Sequence, residues 1–238
     1  MDAVATMKAY LDLCRVSNLP TVWTNVLAAS LLANGSFEAG PVLLAAVSLS
    51  CFYLGGMALN DLWDRESDRA TRPSRPIPSG SIPLCGARSL ILLLFAAGFL
   101  MLAFACHLTA VLAALLLLAA IVLYDRHHKQ NPFSVLIIAS CRLLVFVVAA
   151  LAVSGRLPAA VVVAGFLQFC YVVLLSLVAR HENKLPRPFP FPVIPVMLAA
   201  ISLLDGMVLA VLAKPYWLVV GMVGFLLTLA GQRFARGD

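Results

Sequence analysis

Asn60, Asp61, Asp64 and Asp68 stand at the end of an apolar run, Gly55-Gly56-Met57-Ala58-Leu59-Asn60-Asp61-Leu62-Trp63-Asp64-Arg65-Glu66-Ser67-Asp68. On a continuous helix, at about 100° per residue, the four fall within an arc of roughly 100°. Carboxylates that close repel one another and take up protons unless a cation holds them. Oxygen-only donors suit Mg²⁺, which keeps several waters and shares its coordination with substrate phosphates. Just downstream runs Arg72-Pro73-Ser74-Arg75-Pro76-Ile77-Pro78-Ser79-Gly80. Its prolines stiffen the loop and limit the reach of both arginines, whose planar forks match phosphate oxygens. Carboxylates for a metal followed by arginines for phosphate make a coherent diphosphate site. The bland alternative is a solvated helix end on which Asp64, Glu66 and Asp68 pair with Arg65, Arg69 and Arg72. The proline-bracketed arginines weigh against it.

The scaffold that must position this motif lies in lipid. The chain of 238 residues is 62% hydrophobic and only 12% charged, with a mean hydropathy of +0.98. Soluble domains sit near a quarter charged. A helix needs roughly 20 mostly apolar residues to cross a ~30 Å hydrocarbon core. Eight runs are long enough: 16–33, 40–62, 88–105, 107–124, 133–153, 158–180, 190–212 and 215–234. The expected fold class is therefore all-α, a polytopic transmembrane bundle of about eight spans forming a single domain over 1–238. Asp2 and Asp12 ahead of the first run, with no small-residue cleavage pattern, argue against a cleavable signal.

The net charge of +6 does not imply nucleic acid. With a cytoplasmic N-terminus, Arg156 and Lys214 alone among the 17 lysines and arginines fall in outer loops, and Arg142 falls inside a span. That bias predicts both termini and the acidic motif on the cytoplasmic side, and a bacterial inner membrane suits the compact build. Basic residues facing anionic headgroups account for most of the positive charge. Outer connections are minimal, as at Asn34-Gly35-Ser36 and Ser154-Gly155-Arg156, whereas Asp61–Ala87 and Arg180–Phe189 carry the polar chemistry. Pro186, Pro188, Pro190, Pro192 and Pro195 cannot sustain a regular helix, so the seventh span is expected to begin extended or broken. Irregular backbone at that depth points to a cavity opening inward. The six cysteines are scattered, form no C-x-x-C pair and read as packing residues.

N-D-x-x-D-x-x-x-D followed by R-P-x-R-P-I-P-S-G resembles the first signature of the UbiA-type membrane prenyltransferases, and the resemblance extends over most of the chain. It implies Mg²⁺ as cofactor, an isoprenyl diphosphate and a lipophilic, often aromatic, acceptor as partners, and prenyl transfer as the reaction. It makes Asn60, Asp61, Asp64 and Asp68 metal ligands. Arg15, Asn18, Trp23 and Asn25 resemble the family's opening helix, where a buried asparagine faces the active site. Tyr124 and Lys129 resemble a tyrosine and a phosphate-binding lysine. The wording around Gly55-Gly56 and Ala179-Arg180-His181-Glu182 is most similar to the EboC branch. Two departures stand out. The family's second motif, D-x-x-x-D after the sixth span, is replaced by Arg180-His181-Glu182-Asn183-Lys184. Either Glu182 holds a second metal alone, or Arg180 and Lys184 replace that metal's charge. The family fold typically has nine spans, and only two follow the sixth here, so a ninth is expected to be lacking.

Arg142 lies about nine residues into the fifth span, on the order of 13 Å from its inner end. A charge at that depth faces the interior or a cavity by default, so Arg142 is expected to line the substrate pocket, the alternative being a structural pair with a carbonyl or carboxylate; Asp205 either is that partner or sits near the outer interface, and reads as structural. For Asn25 a diphosphate contact and an interhelical hydrogen bond weigh equally. His127 and His128 read as headgroup-level residues, His181 beside Glu182 is no zinc site, and the spacing of Asp125 assigns it nothing. In the resulting mechanism Asp61 and Asp64 hold Mg²⁺ with Asn60 and Asp68. Arg72, Arg75 and Lys129, with Arg180 and Lys184, stabilise the departing diphosphate. Rivals from other classes are a carrier or flippase of a phosphorylated lipid, a prenyl-diphosphate hydrolase or cyclase, and a scaffold subunit with a decayed site.

Overall fold

The computed structural model of the chain describes residues 3–105, 107–129, 131–182, 184–185 and 189–235. Cys106, Asn183, Pro186, Arg187 and Pro188 lie outside the described residues. The described residues fold into helices α1 (Ala3–Leu13), α2 (Leu19–Asn34), α3 (Ala39–Thr71), α4 (Leu84–Phe104), α5 (Leu108–His127), α6 (Ser134–Ser154), α7 (Ala159–Glu182), α8 (Val193–Leu212) and α9 (Leu218–Gly231). All eight apolar runs are helical, and two helices follow α7. By length and apolarity fewer than eight helices among the described residues qualify as spans. Six helices, α3 to α8, are long and apolar enough to cross a membrane. α2 has 16 residues and α9 has 14.

The reason is clearest in α2, which at ~1.5 Å per residue is about 24 Å long. It buries Thr21, Thr24, Asn25 and Ser30 and packs against α3, α6, α7, α8 and α9. A helix enclosed by protein on so many sides is not selected for apolarity as a lipid-facing one is.

α3 is the longest element, 33 residues without interruption. The acidic motif is therefore helical, as its spacing predicts. α3 ends at Thr71 with the Arg72 N–H bonded to the Asp68 carbonyl, just before Pro73, where a proline disfavours further helix. The following loop folds back over the helix end rather than trailing into solvent. Ile77 and Ile82 are buried with Leu13, Cys14, Ala58 and Ala87, which ties α1, α3 and α4 together there. Gly80 makes the turn with φ 75°, a value that favours glycine.

α8 begins only at Val193, after Pro190 and Pro192, and Pro195 falls in its first turn, where a missing N–H is harmless. The expectation of a non-helical start thus holds for residues 189–192. The central core joins α2, α3, α5, α6 and α7 around Phe52, Leu117 and Phe146. Phe52 meets Phe99 edge to face, with centroids 4.9 Å apart. Cys14, Cys51, Cys85, Cys141 and Cys170 are free.

Candidate active site

The acidic face of α3 is buried, and each carboxylate has taken a counter-charge. Asp61 Oδ1 accepts from Arg15 Nη2 at 3.1 Å and from Arg75 Nη1 at 3.2 Å. The same Arg75 nitrogen reaches Asp68 Oδ2 at 2.5 Å. Asp64 turns the other way, to the end of α5, with Lys129 Nζ 2.6 Å from Oδ1 and His128 Nε2 3.3 Å from Oδ2. Among the described residues, no three acidic, imidazole or thiol groups cluster as a metal would need.

Arg75, expected to meet phosphate, is here paired with two acids, and its side chain is only 4% exposed. Like charges one or two turns apart in a low-dielectric site need such a counter-ion, and the stiff loop sets Arg75 over them. The solvated-end alternative fails too. Arg65 and Glu66 pair locally, but Asp64 and Asp68 take partners from the end of α5 and from the loop. Arg72 is exposed at the helix end and does not line the cavity described next.

A cavity of about 450 Å³ opens between α2, α3, α5, α6, α7 and α8. Its polar end is made by Arg15, Asn60, Tyr124, Asp125, His128 and Arg180. Leu49 and Phe52 continue the wall two to three turns back along α3, and Leu117 and Ile121 do so along α5. The space thus has a charged head and an apolar body. His128 is held above the ordinary histidine pKa by its hydrogen bond to Asp64, against the opposing effect of burial. It stacks on Tyr124 with centroids 5.1 Å apart. Asp125 Oδ1 accepts from Asn60 Nδ2 at 3.0 Å.

Arg142 lines the cavity midway along α6, as expected, and donates to Asn25 Oδ1 at 2.7 Å. Asn25 is fully buried and donates in turn to Asp205 Oδ2 at 2.6 Å. Asp205 also accepts from Thr24 and from Gln168, each at 2.7 Å. Asn25 is therefore an interhelical strut off the cavity wall, its carboxamide oxygen taken by Arg142 and its nitrogen by Asp205.

The segment after α7 also departs from expectation. Arg180 lines the cavity but is fastened by Nη1 to the Pro132 carbonyl at 2.6 Å and by Nη2 to Ser134 Oγ at 2.7 Å. Glu182 accepts the Phe189 N–H at 3.0 Å, and Lys184 is exposed. Neither lines the cavity, so neither brings charge to it. Trp23 donates to Ser50 Oγ at 3.0 Å on the outer side of α2.

The sequence alone undervalued Arg15, Tyr53, Asp125 and His128, all of which line the cavity. Arg15 adopts φ 48° and ψ 48°, a left-handed conformation rare outside glycine, and this directs the chain into α2. No residue pattern announces that. Asp125 and His128 carried one available signal, their place at a helix end beside Tyr124 and Lys129.

Fold and site define an intramembrane helical bundle enclosing a pocket for a ligand with a charged head and an apolar tail. Residues 20–236 match the UbiA prenyltransferase family, and the chain belongs to that family. It is an integral membrane protein. A digeranylgeranylglyceryl phosphate synthase from Sulfurisphaera tokodaii is 32% identical over 128 residues, 53% of this chain and 45% of that relative. One from Methanopyrus kandleri is 40% identical over 92 residues, 39% of this chain and 34% of the relative. The chain thus spans less than half the length of these curated relatives. Among solved structures, one of a digeranylgeranylglyceryl phosphate synthase superposes with a TM-score of 0.66 at 22% identity, covering 96% of this chain and 87% of the other. A UbiA homologue from Archaeoglobus fulgidus bound to DMAPP and Mg²⁺ gives 0.63 at 18% identity, covering 93% and 86%. At such identities these likenesses establish the fold.

Proposed function

We propose that the chain is an intramembrane prenyltransferase that moves an isoprenyl group from a Mg²⁺-bound prenyl diphosphate to an aromatic or other lipophilic acceptor. The observation that carries this reading is the two-ended cavity, with Asn60, Asp125, Arg15, His128 and Arg180 at one end and an apolar body behind them; Asp61, Asp64 and Asp68 lie on the same helix as Asn60, behind that end rather than on the wall. Family membership and the Mg²⁺-bound, DMAPP-bound homologue support it.

The donor set fits the metal. Asp61 and Asp64 offer hard oxygens, with Asn60 and Asp68 beside them on α3. Mg²⁺ needs only one or two protein carboxylates when phosphates and water complete its shell, so the lack of a three-acid cluster is no obstacle. When bound, the ion neutralises diphosphate charge and makes it a better leaving group. Lys129, paired with Asp64 but 45% exposed, is placed to shift to a phosphate oxygen. Arg15 and Arg180 add positive charge at the same end, where the diphosphate gains charge as the allylic C–O bond breaks. Phe52, Tyr53 and Ile121 line the wall behind that end, where they would keep water from the carbon left electron-poor and the two aromatic rings would offer their faces to its positive charge. The acceptor atom then bonds to that carbon and loses a proton.

The lysine and arginine asymmetry supports a site and both termini on the cytoplasmic side, in a bacterial inner membrane. The residues around Gly55-Gly56 and Ala179–Glu182 support the EboC branch.

The test is single-turnover diphosphate release by purified protein in lipid, with allylic diphosphates of several lengths, with and without Mg²⁺. Mg²⁺-dependent release that is lost in Asp61→Ala is expected. Tight Mg²⁺-dependent binding without release at any chain length would replace the enzyme with a carrier of phosphorylated lipid.

A further inference from the structure

Asp125 is the acid at the cavity's polar end that the acidic motif of α3 does not include. It occupies the last turn of α5 and is only 5% exposed. Its Oδ1 is braced by Asn60, whereas Oδ2 is buried and has no hydrogen-bond partner among the described residues. Buried carboxylate oxygens are ordinarily satisfied, because an unpaired one loses its hydration without recompense.

Among the described residues no cation forms an ion pair with it. Arg15 is engaged by Asp61, and His128 and Lys129 by Asp64. Arg180 is fastened to Pro132 and Ser134. His128 turns its other nitrogen to the backbone carbonyl of Asp125, not to its carboxylate. Meanwhile the stretch after α7 brings no acid to the cavity, because Glu182 is occupied by the Phe189 N–H. The side of the site facing α3 therefore has one carboxylate with an unfilled oxygen.

We propose that Asp125, oriented by Asn60, is a ligand for a second divalent cation on the diphosphate, in place of an acidic pair at the end of α7. This rests on the prenyl-diphosphate reading of the cavity. A hard cation takes the unfilled carboxylate oxygen on one side and phosphate oxygens on the other, with water completing its shell. Charge that two acids would bring from α7 is thus supplied by α5, across from Asp61 and Asp64.

The test uses the full chain in lipid nanodiscs with Mn²⁺ and geranyl S-thiolodiphosphate, a donor analogue that resists ionisation. Bound Mn²⁺ is counted from loss of the free-ion EPR signal, with analogue-loaded empty discs as blank. Wild type is expected to bind a first and a second Mn²⁺, and Asp125→Asn to keep the first and lose the second. Melting of the metal-free protein gives an independent reading. Asp125→Asn keeps the shape and the oxygen that accepts from Asn60, so its melting temperature should stay level or rise, whereas a purely structural acid would leave it lower. Unchanged Mn²⁺ stoichiometry and affinity in Asp125→Asn, or a lower metal-free melting temperature, overturns the role of Asp125 and leaves the transferase reading standing. If wild type binds the analogue with no dependence on Mn²⁺, both fail.

Discussion

Arg142 and Asp205 are joined through a third side chain: Asn25 accepts from Arg142 Nη1 at 2.7 Å and donates to Asp205 Oδ2 at 2.6 Å. One carboxamide thus links α2, α6 and α8 in a relay that is buried at Asn25 and Asp205 and reaches the cavity at Arg142. Removing a member of such a relay strands the others. Asn25→Leu should destabilise the protein by about 3 kcal/mol, measured by unfolding in mixed micelles. If the relay is the cause, Asn25→Leu will cost far less in an Arg142→Met, Asp205→Leu background. Equal costs in both backgrounds would refute it.

Arg75 and Lys129 both neutralise acids of α3, but they differ in burial, and their variants should separate accordingly. Arg75→Ala leaves Asp61 and Asp68 without their shared counter-ion. It is expected to lower stability by roughly 3 kcal/mol, with diphosphate release falling as the folded fraction falls.

Lys129→Met should leave melting nearly unchanged, since the side chain is half in solvent, yet slow diphosphate release by about 100-fold. Loss of stability without loss of release per folded molecule would return Lys129 to a structural role.

Glu182→Gln should keep release within about twofold of wild type, because the glutamine carbonyl still accepts the Phe189 N–H. A loss comparable to that of Asp61→Ala would place the α7 end back in the metal site.

A Cβ at Gly56 would lie 3.3 Å from Ile121 Cγ2, inside the cavity wall. Gly56→Leu should therefore shift preference toward shorter donors, by about tenfold in the ratio of geranyl to geranylgeranyl diphosphate use. An unchanged ratio in a competition assay would mean that the prenyl tail runs elsewhere.

Much of this was legible in the sequence. The spacing of Asn60, Asp61, Asp64 and Asp68 on one helical face survives intact in α3, and all eight apolar runs became helices. The counter-ions were not legible. Periodicity tells which residues share a face but not which helix will lie opposite, so the partners of Asp64 at the end of α5 could not be foreseen. Arg75 was assigned to phosphate because its chemistry suits both phosphate and carboxylate. Asn25 weighed evenly between two roles until Asp205, at the far end of the chain, was seen beside it. The left-handed Arg15 has no signature in a single sequence.

α3 runs unbroken for about 50 Å, roughly three turns of it beyond Asp61. A rigid rod longer than the hydrocarbon layer works as a depth gauge: Leu49 and Phe52 sit level with acyl chains when the acids sit level with headgroups. A lipid entering from the side can keep its diphosphate among the headgroups throughout, so its charge never has to be dragged through oil. On the proposed function, position along the rod would decide which carbon of the ligand lies beside the acids, and the membrane would fix that register.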